Sequence, residues 1–313
     1  MPRQSRKFTA SAFLAACPSS VAGYCGGRAA GIFNHMIDKR PITRFSNPLF
    51  IIRHLWNYRG LIWMMSRREV VGRYKGSIMG IGWAFVQPLL MLGVYTFVFS
   101  VIFNARWGLG PDETKSSFAL VLFLGLITFK VFSEMLNVSG DLVVRNSNYV
   151  KKVLFPLEIL PVVQLLSVLI HALLSLLIVI IGTLFILHHV PLTALLLPIV
   201  WLPVTLFSLA CGYYLAAVGV FFRDVRTTAG VLTTILFYAS GIFYPISAVP
   251  DKFQIFWKMN PIAILVEYSR KVFFWGTPPD WGPYILWLIV SVILCVSGFV
   301  CFMKMKRAFA DVL

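Results

Sequence analysis

The chain has 313 residues, 58% of them hydrophobic and 13% charged, with a mean hydropathy of +0.81. A soluble domain carries about a quarter charged residues, and a globule of this length cannot hide so much apolar surface from water, so composition excludes a soluble fold and predicts an all-α integral membrane protein. The net charge of +16 does not point to nucleic acid, because the basic residues lie between and beside apolar runs with no aromatic-interleaved basic domain; in a membrane protein such charges set orientation.

Taken in chain order, residues 1–40 read as a disordered N-terminal extension. Arg3, Arg6 and Lys7 precede the apolar stretch Phe8 to Ala16, and Leu14-Ala15-Ala16-Cys17 loosely resembles a lipoprotein cleavage box. The stretch is short for a signal sequence and is interrupted by Thr9 and Ser11; Met36 offers an alternative start. Residues 41–77 form a second unit. From Leu49 to Trp63, apolar and aromatic residues alternate with Arg53 and Arg59 at near-helical spacing, the pattern of an amphipathic helix lying in the headgroup plane. The run Arg67, Arg68, Glu69, Arg73 and Lys75 follows, and contact with anionic lipid is one reading of its charges.

Residues 78–313 make the membrane domain. A span needs about 20 mostly apolar residues, and six stretches qualify: Ile78 to Phe103, Phe118 to Val138, Val162 to Leu187, Leu192 to Phe222, Thr228 to Tyr244 and Tyr284 to Met303. Pro198 and Pro203 predict bent or interfacial first turns in the fourth, and the fifth is short. Lys and Arg concentrate before residue 78, in the 139–160 loop, in the 223–226 turn and in the tail, which by the positive-inside rule places both termini in the cytoplasm. Between spans five and six, Asn260-Pro261 reads as a helix start, a cap followed by a first-turn proline. Ile262, Leu265, Val266, Phe273 and Trp275 would then form an apolar face, with Glu267, Arg270 and Lys271 polar, giving short periplasmic helices that dip into the outer leaflet.

Ionisable groups inside spans are costly, and Lys130, Glu134 and His171 are the candidates. Lys130 and Glu134, four apart, are expected to pair. Gln164, Ser167, His171 and Ser175 place a thin polar stripe on one face of span three, suited to hydrogen bonding between helices or to a channel. Ser208, Gly212, Ala216 and Gly219 present small residues for close helix approach, and Gly72, Gly76 and Gly80 repeat the spacing. Tyr95, Phe99, Tyr213, Tyr214, Tyr238 and Tyr244 set polar-edged rings within the apolar slab, where a phenol wants a hydrogen-bond partner and ring faces suit the C–H faces of sugars. The sequence contains no GxxxxGK[ST] phosphate loop, no carboxylate cluster of an ion-coupled transporter and no metal motif. Its cysteines, Cys17, Cys25, Cys211, Cys295 and Cys301, lack CxxC spacing and read as packing residues. An energy source is therefore expected in another polypeptide, and no cofactor is expected on this chain.

Segments in order carry a resemblance. Trp56-Asn57-Tyr58-Arg59-Gly60-Leu61-Ile62-Trp63, Arg68-Glu69-Val70-Val71-Gly72-Arg73-Tyr74-Lys75-Gly76-Ser77, Trp83-Ala84-Phe85-Val86-Gln87-Pro88 and the run from Val150 to Pro161 come first. Phe221-Phe222-Arg223-Asp224-Val225, Gly241-Ile242-Phe243-Tyr244-Pro245-Ile246, Asn260-Pro261 and Phe309-Ala310-Asp311-Val312-Leu313 follow. Together they resemble the permease subunits of bacterial ABC exporters of lipopolysaccharide O-antigen and related surface polysaccharides. The resemblance covers about residues 45–313 and stops short of the N-terminal extension.

That resemblance implies a homodimer of six-helix subunits in the bacterial inner membrane, flanked by two cytoplasmic ABC ATPase subunits that hold ATP and Mg. It implies a non-enzymatic permease passing a lipid-linked O-antigen polysaccharide from cytoplasm to periplasm through a channel at the dimer interface. Arg67, Arg68, Glu69, Arg73 and Lys75, then Asn146, Lys151 and Lys152, match the surfaces that touch the ATPase, and Arg223, Asp224 and Arg226 would form a smaller contact. Residues 67–75 could equally meet a lipid pyrophosphate. Tyr95, Phe99, Tyr238 and Tyr244 are expected to line the conduit, with Gln87 at its entrance. Capsule or teichoic acid is an alternative cargo. A membrane-embedded glycosyl- or acyltransferase is a rival of another class, with His35 and Asp38 as its best catalytic groups.

Overall fold

The structure, a computed structural model, describes residues 47–102, 107, 115–150, 155–244, 250, 252–254 and 259–313. The N-terminal extension, Lys151 and Lys152, and His35 with Asp38 lie outside the described residues. Among the described residues every regular element is helical.

The amphipathic segment is two helices rather than one. Asn47 caps α1 (Pro48–Asn57) by accepting the Leu49 N–H at 3.0 Å, with Pro48 in the first turn where its missing donor costs nothing. The helix ends at Tyr58, and α2 (Arg59–Gly72) starts at once. One face of α2, Ile62, Ser66 and Val70, is buried. The chain then turns through Gly76 and Gly80, which adopt φ of 90° and 53°. Among the described residues a Cβ on Gly72, Gly76 or Gly80 would meet nothing within 4 Å, so these glycines bring no two helices of this subunit together. Two of them serve a left-handed backbone that other residues adopt at a cost.

The first expected span is α3 (Trp83–Tyr95), with Pro88 inside it, running on as a π-helix over Thr96–Ile102. Helix α4 (Lys115–Ser139) follows, then two single turns, α5 (Leu142–Arg145) and α6 (Ser147–Val150). Next come α7 (Leu160–Ile186), a 3₁₀ turn at Leu192–Leu196, and α8 (Leu197–Val218), which carries Pro198 in its first turn and Pro203 inside. The fifth expected span is α9 (Val225–Ala239). Asn260 caps α10 (Pro261–Arg270) by accepting the Ile262 N–H at 3.0 Å, and a π-helical turn, Lys271–Trp275, ends at Gly276 in the left-handed region. Helix α11 (Trp281–Val312) closes the chain.

Among the described residues four helices, within α4, α7, α8 and α11 and their leading turns, are long and apolar enough to cross a membrane, while the apolar helix Trp83–Phe99 is shorter. Helix α4 is the centre of the bundle, touching α7, α8, α9 and α10, and α8 packs along α11. Small residues permit these approaches. A Cβ on Gly212 would sit 2.7 Å from the Met135 methyl, and one on Gly219 only 1.8 Å from the Gly140 carbonyl oxygen.

Helix α7 shows its two environments along one repeat. Gln164, Ser167, His171, Ser175, Val179 and Thr183 are buried, whereas Leu173, Leu177, Ile181 and Leu184 are exposed. The polar stripe thus faces the interior of the subunit, and the leucine face, with Ile285, Leu286, Ile289 and Ile293 of α11, is an apolar exterior far larger than a water-facing surface tolerates.

Candidate functional site

At the C-terminal end of α4 the structure brings both basic segments together. Arg68 of α2 donates to the Tyr149 hydroxyl at 3.2 Å. Between them lies a cavity of about 230 Å³, lined among others by Arg68, Glu69, Arg145, Asn146, Tyr149 and Gln164. Asn146 caps its own turn by donating to the Leu142 carbonyl at 2.8 Å, while the buried Gln164 amide nitrogen meets no partner among the described residues. Arg67 and Lys75 are exposed, which suits residues meant for another chain or a headgroup.

Arg73 departs from the expected grouping. It pairs with Glu134 of α4, so Glu134 is not the partner of Lys130, which is itself exposed. The reason is reach: the turn after α2 lays Arg73 across α4, where its fork competes with an intrahelical lysine for the same carboxylate. The next residue, Tyr74, hydrogen-bonds its hydroxyl to His171 Nδ1 at 3.2 Å, with the rings edge to face at 5.6 Å. Burial raises the Tyr74 phenol above its usual pKa, against the pull of Arg73. The 73–74 corner is therefore pinned to α4 and α7.

Arg226 binds Asp141 at 2.8 Å, and Arg145 reaches the same carboxylate at 3.5 Å. This joins the start of α9 to the turn after α4 and leaves Arg223 and Asp224 exposed.

A further ionic hub was not singled out from the sequence. Glu158, whose side chain is 5% exposed, meets His54 of α1 at 3.0 Å and Lys306 of α11 at 2.6 Å. Its backbone carbonyl accepts the Tyr213 hydroxyl of α8 at 3.0 Å. Local spacing carries no trace of it, because the partners lie 104, 148 and 55 residues away.

Toward the N-terminal end of α4 the expected rings converge on a residue the ring reading had passed over. Phe243 stacks on Phe99 (4.6 Å between centroids, 15°) and lies 5.7 Å from Tyr95, 6.2 Å from Tyr238 and 5.0 Å from Phe237. The Tyr244 hydroxyl donates to the Tyr238 carbonyl at 2.9 Å. Tyr238 remains 63% exposed. Gln87, also exposed, lies two turns earlier on α3. Tyr213 and Tyr214 are not part of this group: the first serves Glu158, and the second donates to Ser297 of α11 at 2.8 Å.

Arg270 corrects another expectation. Rather than lining a polar face, it is fully buried among backbone carbonyls.

A helical bundle with helices long and apolar enough to span, an inward polar stripe and a cluster of exposed basic groups at one end is the architecture of a multi-pass membrane protein. The chain belongs to the ABC-2 type transporter family, whose model matches residues 60–274. It is 29% identical to the O-antigen export system permease protein RfbA of Myxococcus xanthus, over 83% of this chain and 98% of that protein. A protein of the same name from Klebsiella pneumoniae is 27% identical over 81% of this chain and 95% of its own length. The polysialic acid transport protein KpsM of Escherichia coli is 26% identical over 65% and 77%.

Proposed function

We propose that this chain is the permease of an ATP-driven exporter that moves a lipid-linked O-antigen polysaccharide out of the cytoplasm. The observation that carries the reading is the family match over residues 60–274, joined by likeness to O-antigen export permeases along almost their whole length. Two copies work as a homodimer, each with six spans, in which α3 with its π-helical extension and α9 complete the four longer helices. Both termini and the 68–149 cavity face the cytoplasm, and α10 lies on the periplasmic side.

Two copies of a separate ABC ATPase dock against Arg67, Arg68, Glu69 and Lys75 and against Asn146, Lys151 and Lys152. Arg73 and Tyr74 pass the displacement of α2 to α4 and α7. The glycan runs between the subunits, entering near Gln87 and sliding over Tyr95, Phe99, Tyr238, Phe243 and Tyr244. Ring faces suit this task because they stack on sugar C–H faces without strong selectivity. Buried charges in an emptied channel would each cost several kcal/mol.

Replacing Arg67 and Arg68 together by Glu tests the coupling. The expected result is normal insertion and dimerisation with loss of ATPase co-purification and of glycan export. Persistence of both would overturn the docking surface. A second reading, export of a different lipid-linked polymer such as capsule or teichoic acid, draws on the likeness to the polysialic acid transport protein; analysis of the glycan that accumulates in a deletion strain separates the two.

A further inference from the structure

Arg270 has an unusual position for a guanidinium. It has no solvent exposure, and its hydrogen-bond acceptors are backbone carbonyls: Nε donates to Val121 at 3.2 Å, Nη1 to Gly241 at 2.9 Å and Nη2 to Ile242 at 2.7 Å. Its Cζ stands 4.1 Å from the centre of the Trp107 ring, a cation–π contact strengthened by the absence of water. Gly125 of α4 makes the space, since a Cβ there would lie 2.2 Å from Nη2.

Burying a charge is expensive unless its donors are met, and a leucine would fill the volume without that cost. What the guanidinium supplies instead is a rigid fork whose directions are fixed by its plane. Its contacts decide what the fork holds. Val121 belongs to α4, Trp107 follows the π-helical end of α3, and Gly241 and Ile242 form the turn that leaves α9. Gly241 takes a φ of 61°, so this turn is a tight left-handed corner that favours glycine. The residue after the two captured carbonyls is Phe243, the centre of the ring cluster.

We propose that Arg270 is a positioning residue of the export conduit. By holding the 241 and 242 carbonyls it fixes where Phe243 stands against Tyr95 and Phe99, and so sets the opening that the rings leave for the polymer. This rests on the reading of the ring cluster as conduit wall.

The experiment uses the full permease with its ATPase in membranes and two variants, Arg270→Lys and Trp107→Leu. Lysine keeps the charge but is a point donor that cannot bridge three carbonyls. Trp107→Leu loosens the site without stranding the cation, and serves where the lysine variant assembles poorly. In a Phe99→Cys/Phe243→Cys background, disulfide yield reports the placement of residue 243. In the native-ring background, the length distribution of exported glycan reports the opening, normalised to assembled complex.

Losing one hydrogen bond to a charged group corresponds to about a ten-fold change in an equilibrium, so the rate of cross-linking is expected to fall about ten-fold while assembly holds and the length distribution shifts. An unchanged cross-link in both assembled variants overturns the proposal, as does export that falls only in proportion to assembled protein. A Tyr95→Ala/Tyr238→Ala pair tests the conduit reading separately. If that pair leaves export untouched while Arg270→Lys still releases residue 243, the conduit reading fails and the hold on Phe243 stands. If the pair impairs export and the cross-link is indifferent to Arg270, the positioning role alone fails.

Discussion

Replacing Glu158 by Gln should destabilise the subunit more than any surface charge change. The carboxylate is the common partner of His54 and Lys306, at 3.0 Å and 2.6 Å, on a side chain 5% exposed. Removing one member of a buried ion pair costs about 3–5 kcal/mol. Here the partners keep 21% and 28% of their side-chain exposure, and solvent recovers part of the loss, leaving about 2–3 kcal/mol. At about 2–4 °C per kcal/mol for a chain of this size class, the expected drop in Tm is about 5–10 °C. Thermal unfolding of the solubilised permease, followed by the loss of its folded peak in size-exclusion chromatography, measures it. Lys306→Met in the same protein completes a double-mutant cycle. Because the second substitution removes the charge that the first stranded, the double variant should lose clearly less than the sum of the singles. A shift below about 2 °C for Glu158→Gln, or losses that simply add, would refute the hub.

Further outcomes are expected elsewhere. Gly219→Ala should prevent stable assembly, because its Cβ would stand 1.8 Å from the Gly140 carbonyl oxygen in backbone that cannot yield; yield on size-exclusion chromatography reads this. Arg73→Glu should impair export, and adding Glu134→Arg should restore part of it, since the two groups form a pair; an absence of any restoration would remove the Arg73–Glu134 pair from the coupling path. A cysteine at position 148 should react with maleimide only after the membrane is permeabilised, whereas one at 280 should react from outside; labelling of 280 from the cytoplasm alone would break the six-span topology.

The long helices were legible because each is a run of apolar residues with clear ends. The stretches expected at 118–138 and 162–187 became Lys115–Ser139 and Leu160–Ile186. Asn260-Pro261 likewise announced its helix, since a cap and a first-turn proline act on their own neighbours. Pairings were not legible. Glu134 has Lys130 one turn away and binds Arg73, 61 residues distant, and nothing in the sequence near Arg270 tells that its acceptors lie 28, 29 and 149 residues off. Phe243 was visible as part of a motif, yet its place at the centre of four rings depends on how α3 and α9 meet. Small residues mark close approach within the subunit at Gly212 and Gly219, whereas at Gly76 and Gly80 the same spacing serves a left-handed turn.

The widened coil at Thr96–Ile102 has a consequence for insertion and deletion. A π-helical stretch absorbs an extra residue within a helix, so it works as a register adjuster between the proline-bearing start of α3 and the chain that follows. Removing a single residue between 97 and 102 would let the coil relax to the ordinary 3.6 residues per turn. The chain on either side would keep its register, so a one-residue deletion here would leave the stacking of Phe99 on Phe243 in place, where the same deletion in an ordinary helix would turn everything beyond it by about 100° about the axis.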